Sequence, residues 1–278
     1  MTEILVTGAT GNVGRHVVTQ LAHAGLKVRA LVRDPSRAGL PEGVEVVRGD
    51  LTAPETLAPA LDGVESVFLI WPGFAAQTAR PVVDEIARHA RRIVYLSAQG
   101  AELEGDEPGI FHQEVERVIR QSTLSWTFLR PTGFATNTLG WAEAIRQGVV
   151  RWPYGRASRT LIHERDIAAV AVHVLTSAGH GGAAYALSGP ERLTQAEQVA
   201  IIGEVIGREV RWEDQPPQEA REYLLAAWGD ATFVDAALAG WGSFVDTPEE
   251  VTDTVDKLLG RPALTFREWV HDHAADFR

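Results

Sequence analysis

Residues 3–14 read Glu-Ile-Leu-Val-Thr-Gly-Ala-Thr-Gly-Asn-Val-Gly, an apolar strand pattern that runs directly into three glycines. The first glycine permits a tight turn, the second lets a ligand approach the backbone, and the third allows close helix–sheet packing. A helical apolar period follows, whose first turn would present free N–H groups and a positive dipole end. The spacing is G-x-x-G-x-x-G, so the prediction depends on the order of strand, glycines and helix, against an ordinary glycine-rich turn. The stretch predicts a pyrophosphate site formed by Gly8, Thr10, Gly11, Asn12, Val13 and Gly14.

The composition limits the function classes without naming one. The chain has 278 residues, 45% of them hydrophobic and 23% charged, as in ordinary globular proteins. Its net charge of −11 argues against nucleic-acid binding, and the absence of cysteine excludes disulfides and thiolate chemistry. The first strand begins by residue 3 and no apolar stretch reaches membrane-spanning length. We therefore expect a cytoplasmic protein with no membrane partner.

Strand and helix patterns alternate through the first half of the chain. Strand patterns occur at 27–32, 44–47, 66–70, 92–97 and 125–129, and helical patterns lie at 54–61, 78–89 and 110–121. This alternation predicts an α/β fold, a Rossmann-type doubly wound parallel sheet over residues 1–131. Helical patterns at 166–175, 194–206 and 218–228, with short strands near 184–187 and 209–212, predict a small, mainly helical C-terminal substrate lobe over 132–278. We expect later segments, about 148–188, to return to the first domain.

The residues after the second and third strands indicate which dinucleotide binds. An NAD-type site usually has a carboxylate after the second strand, whereas this chain has Arg33 with Arg37 close behind. A guanidinium matches a 2′-phosphate, so NADP(H) is the predicted cofactor, although Asp34 could pair with Arg33 or repel the phosphate. The alternative is that both arginines are solvated loop charges. Asp50 and Leu51 suit the adenine, with a helix cap as the alternative role of Asp50.

Several segments together resemble a known family. Residues 7–14 with Leu31-Val32-Arg33-Asp34, Gly49-Asp50-Leu51, Tyr95-Leu96-Ser97 and the run 126–131 are similar to the NmrA-like branch of the atypical short-chain dehydrogenases. The resemblance spans nearly the whole chain and is strongest through Asn137. It implies a Rossmann domain holding NADP(H) and a small C-terminal substrate lobe. Members of the family include quinone reductases, tailoring reductases of natural-product pathways and redox-sensing regulators, so the resemblance defines the cofactor better than the reaction.

The chain lacks the Tyr-x-x-x-Lys pair with which most short-chain dehydrogenases protonate an alkoxide. Its only tyrosines are Tyr95, Tyr154, Tyr185 and Tyr223, and its only lysines are Lys27 and Lys257. Alignment with the family's helix puts His112 at the lysine position and Pro108 at the tyrosine position. Ordinary alcohol–ketone interconversion through that dyad is therefore unsupported.

Hydride transfer to a quinone or conjugated carbonyl needs no such acid, because the anion that forms is delocalised. Aromatic residues at or after strand ends suit a flat aromatic or conjugated small molecule by stacking, although they could equally hold the lobe to the sheet. We predict that Trp71, Pro131 and Phe134 contact the cofactor. The predicted substrate contacts are Phe74, Trp141, Trp152, Tyr154 and His163.

Three polar residues are further candidates. His112 could donate a proton or bond the nicotinamide ribose, or it could be an exposed helix residue. Ser97 could meet the substrate or serve the turn after its strand. Arg159 or His163 could contact substrate, but a capping or core role for the 159–166 segment is favoured. No metal site is predicted, since His271 and His273 stand two apart on a C-terminal helix and do not share a face.

The sequence is interpreted as that of an NADPH-dependent oxidoreductase that uses His112 and Ser97 as catalytic residues and acts as a monomer or homodimer. The alternatives are a non-catalytic NADP(H)-sensing regulator and a cofactor-bound tailoring enzyme of natural-product metabolism. Net turnover of NADPH distinguishes the first alternative, and retained cofactor without net consumption distinguishes the second.

Overall fold

A computed structural model describes residues 3–73, 75–101 and 111–278. The predictions for Phe74 and Pro108 lie outside the described residues. The strands are β1 (Glu3–Val6), β2 (Lys27–Val32), β3 (Glu45–Arg48), β4 (Ser66–Ile70), β5 (Arg92–Leu96), β6 (Ser125–Pro131), β7 (Val149–Trp152), β8 (Ser158–Arg159), β9 (Ala183–Leu187), β10 (Leu193–Thr194) and β11 (Arg211–Asp214).

Helices alternate with the strands and predominate after β6. They are α1 (Asn12–His23), α2 (Ala58–Leu61), α3 (Ala79–His89), α4 (Phe111–Arg120), α5 (Ala142–Arg146), α6 (Glu164–Thr176), α7 (Gln195–Ile206), α8 (Pro217–Trp228), α9 (Ala231–Ser243), α10 (Thr254–Leu259) and α11 (Phe266–Asp272). Short 3-10 segments cover Pro35–Arg37, Pro54–Thr56, Ala135–Trp141 and Ala274–Phe277.

Within the described residues, seven strands form one parallel sheet in the order β3-β2-β1-β4-β5-β6-β9. Strand β1 has β2 on one side and β4 on the other, so Ile4 pairs with both Val28 and Ser66. The strand order reverses between β1 and β4, which makes this the switch point where ligands bind in such sheets. Leu69 and Val94 are fully buried, as expected for strands covered on both faces. The predicted Rossmann-type fold is confirmed.

The chain forms two compact units. The first contains the described parts of Met1–Pro131 with Glu164–Leu187 and Thr254–Arg261, and the second contains Thr132–His163, Ser188–Asp253 and Pro262–Arg278. The sequence placed the return at about 148–188, whereas residues 148–163 belong to the second unit. The reason is that β7 pairs with β11 and β8 with β10, and these partners all lie in the second unit.

The second unit has its own two apolar cores. The larger is built on α7, α11 and the 3-10 segment Ala274–Phe277. Within it, Phe266, Trp269 and Phe277 are almost completely buried. The smaller joins the paired helices α8 and α9 through Leu224 and Leu238, with aromatic side chains packed against it. These cores explain why a mainly helical segment remains compact around only short strand pairs. Among the described residues, no helix has both the length and the apolar character of a membrane span.

Candidate functional site

The turn after β1 has a geometry that only glycine accommodates at two positions. Gly8 has a φ of +57°, in the left-handed region that favours glycine. The Gly11 N–H donates to the Gly8 carbonyl oxygen over 2.9 Å, which closes the turn. A Cβ added to Gly14 would stand 2.2 Å from that same oxygen, so helix α1 can pack here only without a side chain. The turn therefore brings a helix start directly against the strand end.

The start of α1 is free to receive an anion. Its N-cap is Gly11, no side chain caps it, and its first turn carries no acidic residue. The backbone N–H groups of the first turn have no intrahelical partner, and they point outward with the positive end of the dipole. Thr10, Gly11 and Asn12 are exposed, whereas Val13 is buried and could contribute only its main chain. These residues fit the pyrophosphate of a dinucleotide.

Two side chains that the sequence argument missed stabilise this turn. The Thr7 hydroxyl donates to the Ile70 carbonyl over 3.0 Å and accepts from the Ile70 N–H over 2.7 Å. It thereby ties the ends of β1 and β4 together at the switch point. Arg15 on α1 donates to the Gly39 carbonyl over 2.9 Å, joining the glycine turn to the loop after β2. The only sequence signal for either residue was its position beside the glycines.

The loop after β2 leaves two exposed guanidinium groups near the same edge. Arg33 and Arg37 are exposed and form no ion pair with the described residues. The Asp34 carboxylate instead accepts from the Ser36 N–H and hydroxyl, over 3.0 and 2.6 Å, and caps the turn that follows. Asp34 is therefore held by the turn and forms no ion pair with Arg33.

Asp50, two residues after β3, is held in a turn of its own. Its Oδ1 accepts from the Thr52 N–H and hydroxyl, over 2.9 and 2.8 Å. The backbone bond from Thr52 is the main cause that holds the pKa of Asp50 below its ordinary value, and the charge of Arg33 contributes. Arg33 and Asp50 thus lie close enough to interact. Leu51 is 6% exposed and belongs to the core of the first unit, which leaves only its edge for a ligand.

Trp71 and Pro131 are both buried at the carboxyl ends of their strands. The Trp71 indole N–H donates to the Ala75 carbonyl over 2.8 Å and its ring packs in the core of the first unit. The Pro131 carbonyl accepts from the Gln99 N–H over 3.0 Å, which continues the pairing of β5 and β6 beyond the sheet. Both residues shape the carboxyl edge of the sheet mainly by packing against their neighbours.

Strand β5 and helix α4 are joined by two side-chain hydrogen bonds. The Tyr95 hydroxyl lies 2.6 Å from His112 Nδ1, and the Ser97 hydroxyl donates to Glu116 Oε1 over 2.6 Å. Residues 95 and 97 share a face of the strand and residues 112 and 116 share a face of the helix, which explains the two matched contacts. Ser97 is 2% exposed, and its hydroxyl donates to Glu116 and not to solvent.

Glu116 is the centre of a buried ionic cluster that the sequence argument missed. Its side chain is completely buried and accepts two bonds from Arg130, over 2.9 and 2.7 Å. Arg120 donates to the same carboxylate over 2.9 Å, and its guanidinium also lies over the Phe128 ring. A buried carboxylate requires such partners because desolvation disfavours its charge. The cluster fastens α4 to the carboxyl ends of β5 and β6.

Burial changes the pKa values of Tyr95 and His112, the first of the two pairs that join β5 to α4. It lowers the pKa of the His112 imidazole from 6.5 to about 4, so His112 is neutral at neutral pH. Burial, and secondarily the charge of Glu116, raises the pKa of the Tyr95 hydroxyl far above its ordinary value. The imidazolium form that an ordinary histidine acid uses is therefore not populated at pH 7. His112 is also not the exposed helix residue of the alternative interpretation.

The aromatic candidates Trp141, Trp152 and Tyr154 pack against the two apolar cores of the second unit, and Trp152 packs against both. Trp141 packs edge-on against Trp212, while Trp152 packs against Trp241 with ring centres 5.9 Å apart. Tyr154 has a φ of 66°, a conformation rarely adopted outside glycine, and its ring lies against Gly242. Phe134 is half-buried and its backbone is bridged to that of Ile162.

His163 and Arg159 are embedded in the second unit. His163 is 1% exposed and its Nε2 lies 3.3 Å from an Asp272 carboxylate oxygen. Arg159 donates to Glu249 over 2.8 Å and its guanidinium lies over the Phe244 ring. These contacts agree with the core role that was favoured for this segment. Among the residues that the structure describes, no group of three or more His, Asp or Glu could hold a metal ion.

Comparison with known proteins identifies the family. A profile described as NAD(P)H-binding matches residues 8–178. The chain belongs to this NAD(P)H-binding family. It is 41% identical to the (4-alkanoyl-5-oxo-2,5-dihydrofuran-3-yl)methyl phosphate reductase of Streptomyces griseus, with 99% of both chains covered. It is 37% identical to the NAD(P)H azoreductase of Xenophilus azovorans, again with 99% of both covered.

A solved structure agrees with these relatives. The NADPH-dependent quinone oxidoreductase of Escherichia coli, in complex with NADPH, superposes with a TM-score of 0.83 at 26% identity. The match covers 97% of this chain and 99% of that chain. The predicted NmrA-like resemblance is confirmed, and the protein is an NAD(P)H-dependent reductase.

Proposed function

We propose that this reductase uses NADPH to deliver hydride to a conjugated carbonyl compound, either a quinone or an unsaturated carbonyl. The observation that carries the proposal is the state of Tyr95, which is fully buried and bonded to His112. A tyrosine acid needs a lowered pKa and access to the alkoxide, and Tyr95 has a raised pKa. Acceptors whose reduced anion is delocalised do not require that acid.

The named relatives support the same class of acceptor. One reduces a dihydrofuran whose ring carries an oxo group beside an alkanoyl substituent, another reduces azo compounds, and a third is a quinone oxidoreductase. Each acceptor named is a π-conjugated group. Catalysis of this kind depends chiefly on holding the nicotinamide against a flat acceptor. Trp141, Trp152 and Tyr154 stay proposed acceptor contacts because flat aromatic side chains suit a flat, conjugated molecule.

We further propose that Arg33 and Arg37 select NADPH over NADH by pairing with its 2′-phosphate. Both guanidinium groups are exposed and form no ion pair with the described residues. The Asp34 carboxylate accepts from the Ser36 N–H and caps the turn that follows it. The Asp50 carboxylate has one oxygen held by Thr52, so its other oxygen is proposed to accept from the adenine amino group. The glycine turn would hold the pyrophosphate by main-chain N–H groups.

The proposal is tested by steady-state oxidation of NADPH with a panel of acceptors. The panel contains a naphthoquinone, an α,β-unsaturated ketone, an azo dye and, as the matched control, the saturated form of the same ketone. We expect turnover with conjugated acceptors and none with the saturated control. Comparable turnover of a saturated ketone would contradict the proposal. If NADPH binds but no acceptor is reduced, the regulatory alternative is favoured.

A further inference from the structure

Tyr95 has a single hydrogen-bond partner among the described residues, and this restricts how the pair can be protonated. Its side chain is fully buried, its ring packs edge-on against Phe128, and its hydroxyl reaches only His112 Nδ1, over 2.6 Å. A buried phenol O–H that donated to nothing would be destabilising, because nothing would replace the hydrogen bond it makes to water in the unfolded chain. The hydroxyl therefore donates to Nδ1.

The direction of that bond fixes the tautomer of His112. A neutral imidazole that accepts on Nδ1 carries its proton on Nε2. Burial lowers the pKa of His112 and raises that of Tyr95, so both groups keep these protonation states around neutral pH. The Phe111 ring, with its centre 4.0 Å from that of His112, further restricts the imidazole orientation.

The fold places His112 at the edge of the sheet where the nicotinamide is expected. Helix α4 follows β5 and precedes β6 in the chain. Because β5 and β6 are parallel, the connection that contains α4 carries the chain from the carboxyl edge of the sheet back to its amino edge. His112 is in the first turn of the helix and is only half-buried. His112 lies one helical turn before Glu116, which binds Ser97 and Arg130 at that edge.

We infer that Tyr95 is a positioning residue that holds His112 in its Nε2–H tautomer, and that this neutral N–H donates a hydrogen bond to the carbonyl oxygen of the acceptor. This inference builds on the proposed function. Hydride transfer adds two electrons and one hydrogen to the acceptor carbon and leaves the nicotinamide oxidised. The carbonyl oxygen gains negative charge, which the Nε2–H stabilises, and a proton from water completes the reduced product. His112 keeps its proton throughout.

The tautomer is tested first, without any substrate, by long-range proton–nitrogen NMR of protein labelled with ¹⁵N-histidine. His112→Leu assigns the His112 signals by their loss. We expect the Nε2–H tautomer at pH 7 in the wild-type protein and a loss of that preference in Tyr95→Phe. An Nδ1–H tautomer in the wild-type protein would overturn the inference, whether or not the protein turns over an acceptor.

The donor role is tested by a double-mutant cycle on kcat with the best acceptor of the panel. We expect His112→Leu to lower kcat by about 100-fold and Tyr95→Phe by about tenfold, with the KM for NADPH unchanged. Adding Tyr95→Phe to His112→Leu should cause no further loss, because the tautomer no longer matters. Independent, multiplying losses would overturn the positioning role, since a purely structural effect persists in either background.

A binding measurement separates this inference from the proposed function. The complex with NADP⁺ and the hydroquinone product should shift the His112 Nε2–H resonance, whereas NADP⁺ alone should shift it less. No difference between the two complexes would overturn the donor contact. A wild-type protein that binds NADPH but reduces no acceptor removes the proposed function, and with it the donor role, while leaving the tautomer result intact.

Discussion

Gly14 is the residue at which the dinucleotide site is most sensitive to a single methyl group. Gly14→Ala would place its Cβ 2.2 Å from the Gly8 carbonyl oxygen, so helix α1 must shift away from the turn. We expect a loss of NADPH affinity of at least tenfold, measured by titration calorimetry. Gly240→Ala in helix α9 is the matched control, because no atom lies within 4 Å of its added Cβ. Unchanged affinity in Gly14→Ala would contradict the proposed pyrophosphate site.

Arg33 is the residue expected to distinguish the two nicotinamide cofactors. Arg33→Ala should raise the KM for NADPH by roughly one to two decades, since a charge-assisted hydrogen bond contributes about 1.5–3 kcal/mol. The KM for NADH should change little. Arg221→Ala on helix α8 is the control for the loss of a surface arginine, because the Arg221 guanidinium pairs with Asp235 on helix α9. Equal effects of Arg33→Ala on both cofactors would remove the basis for NADP(H) selection.

At the scale of elements, the Glu116 cluster determines how helix α4 is attached to the sheet. Glu116→Gln keeps the shape but removes the anion that Arg130 and Arg120 require. Removing one partner of a buried ion pair typically costs about 3–5 kcal/mol, which we expect as a loss in the free energy of unfolding in urea. Glu114→Gln on the same helix removes only an exposed pair with Arg117 and should have little effect. Similar losses in both variants would show that the cluster is not an anchor.

The N-terminus of helix α7 provides an element whose stability should depend on pH. Thr194 and Glu197 form a reciprocal capping box, and Thr194→Ala should cost about 1 kcal/mol at pH 7. The Thr194 backbone N–H, and secondarily its hydroxyl, hold the pKa of Glu197 below its ordinary value of 4.5. This contribution is present above pH 4.5 and is lost as the pH falls through the lowered value.

The difference between wild type and Thr194→Ala should therefore be smaller at pH 3 than at pH 7, as measured by urea unfolding at each pH. Thr232→Ala, at an exposed position of helix α9, controls for the general loss of a threonine. An equal difference at both pH values would mean that the Thr194 hydroxyl does not stabilise the charged form of Glu197, since the backbone N–H of residue 194 is kept in the variant.

At the scale of the whole molecule, NADPH binding should raise the unfolding temperature by mass action. A ligand at 100 times its Kd stabilises the folded protein by about 2.7 kcal/mol if it binds only that state. We expect a larger rise with NADPH than with NADH at equal concentration, measured by scanning calorimetry. Gly14→Ala should show a smaller rise, because its weaker binding leaves less of the protein saturated at the same NADPH concentration. No shift with any of the four nicotinamide forms would contradict dinucleotide binding by this chain.

Elements with strong local signals were predicted closely. The strand patterns 27–32 and 66–70 agree with β2 and β4 to the residue, because each is a mainly apolar run between turn residues. The pattern at 125–129 ended too early, since β6 continues through Arg130 to Pro131. Arg130 can occupy a strand here because Glu116 neutralises it, which the local sequence does not indicate.

Elements with weak local signals were missed. β7, β8 and β10 have four residues or fewer, and their pairings with distant partners define them more than their own composition. Helix α9 was also not predicted, because its apolar and small residues show little periodicity in the sequence. The pattern at 54–61 forms a 3-10 turn and a short helix instead of one helix, because Pro59 lacks the backbone N–H that a continuous helix would use there.

The sequence alone determined the alternation of strands and helices that predicts a parallel sheet, the glycine turn after β1 and the cationic loop after β2, because each depends on neighbours within a few residues along the chain. Tertiary structure decided the rest: Tyr95 meets His112, and Ser97, Arg120 and Arg130 meet Glu116, across 14 to 19 residues or a single helical turn. Burial then changes the protonation of Tyr95 and His112 in a way that no local pattern records. A side chain's desolvation is a property of everything packed around it.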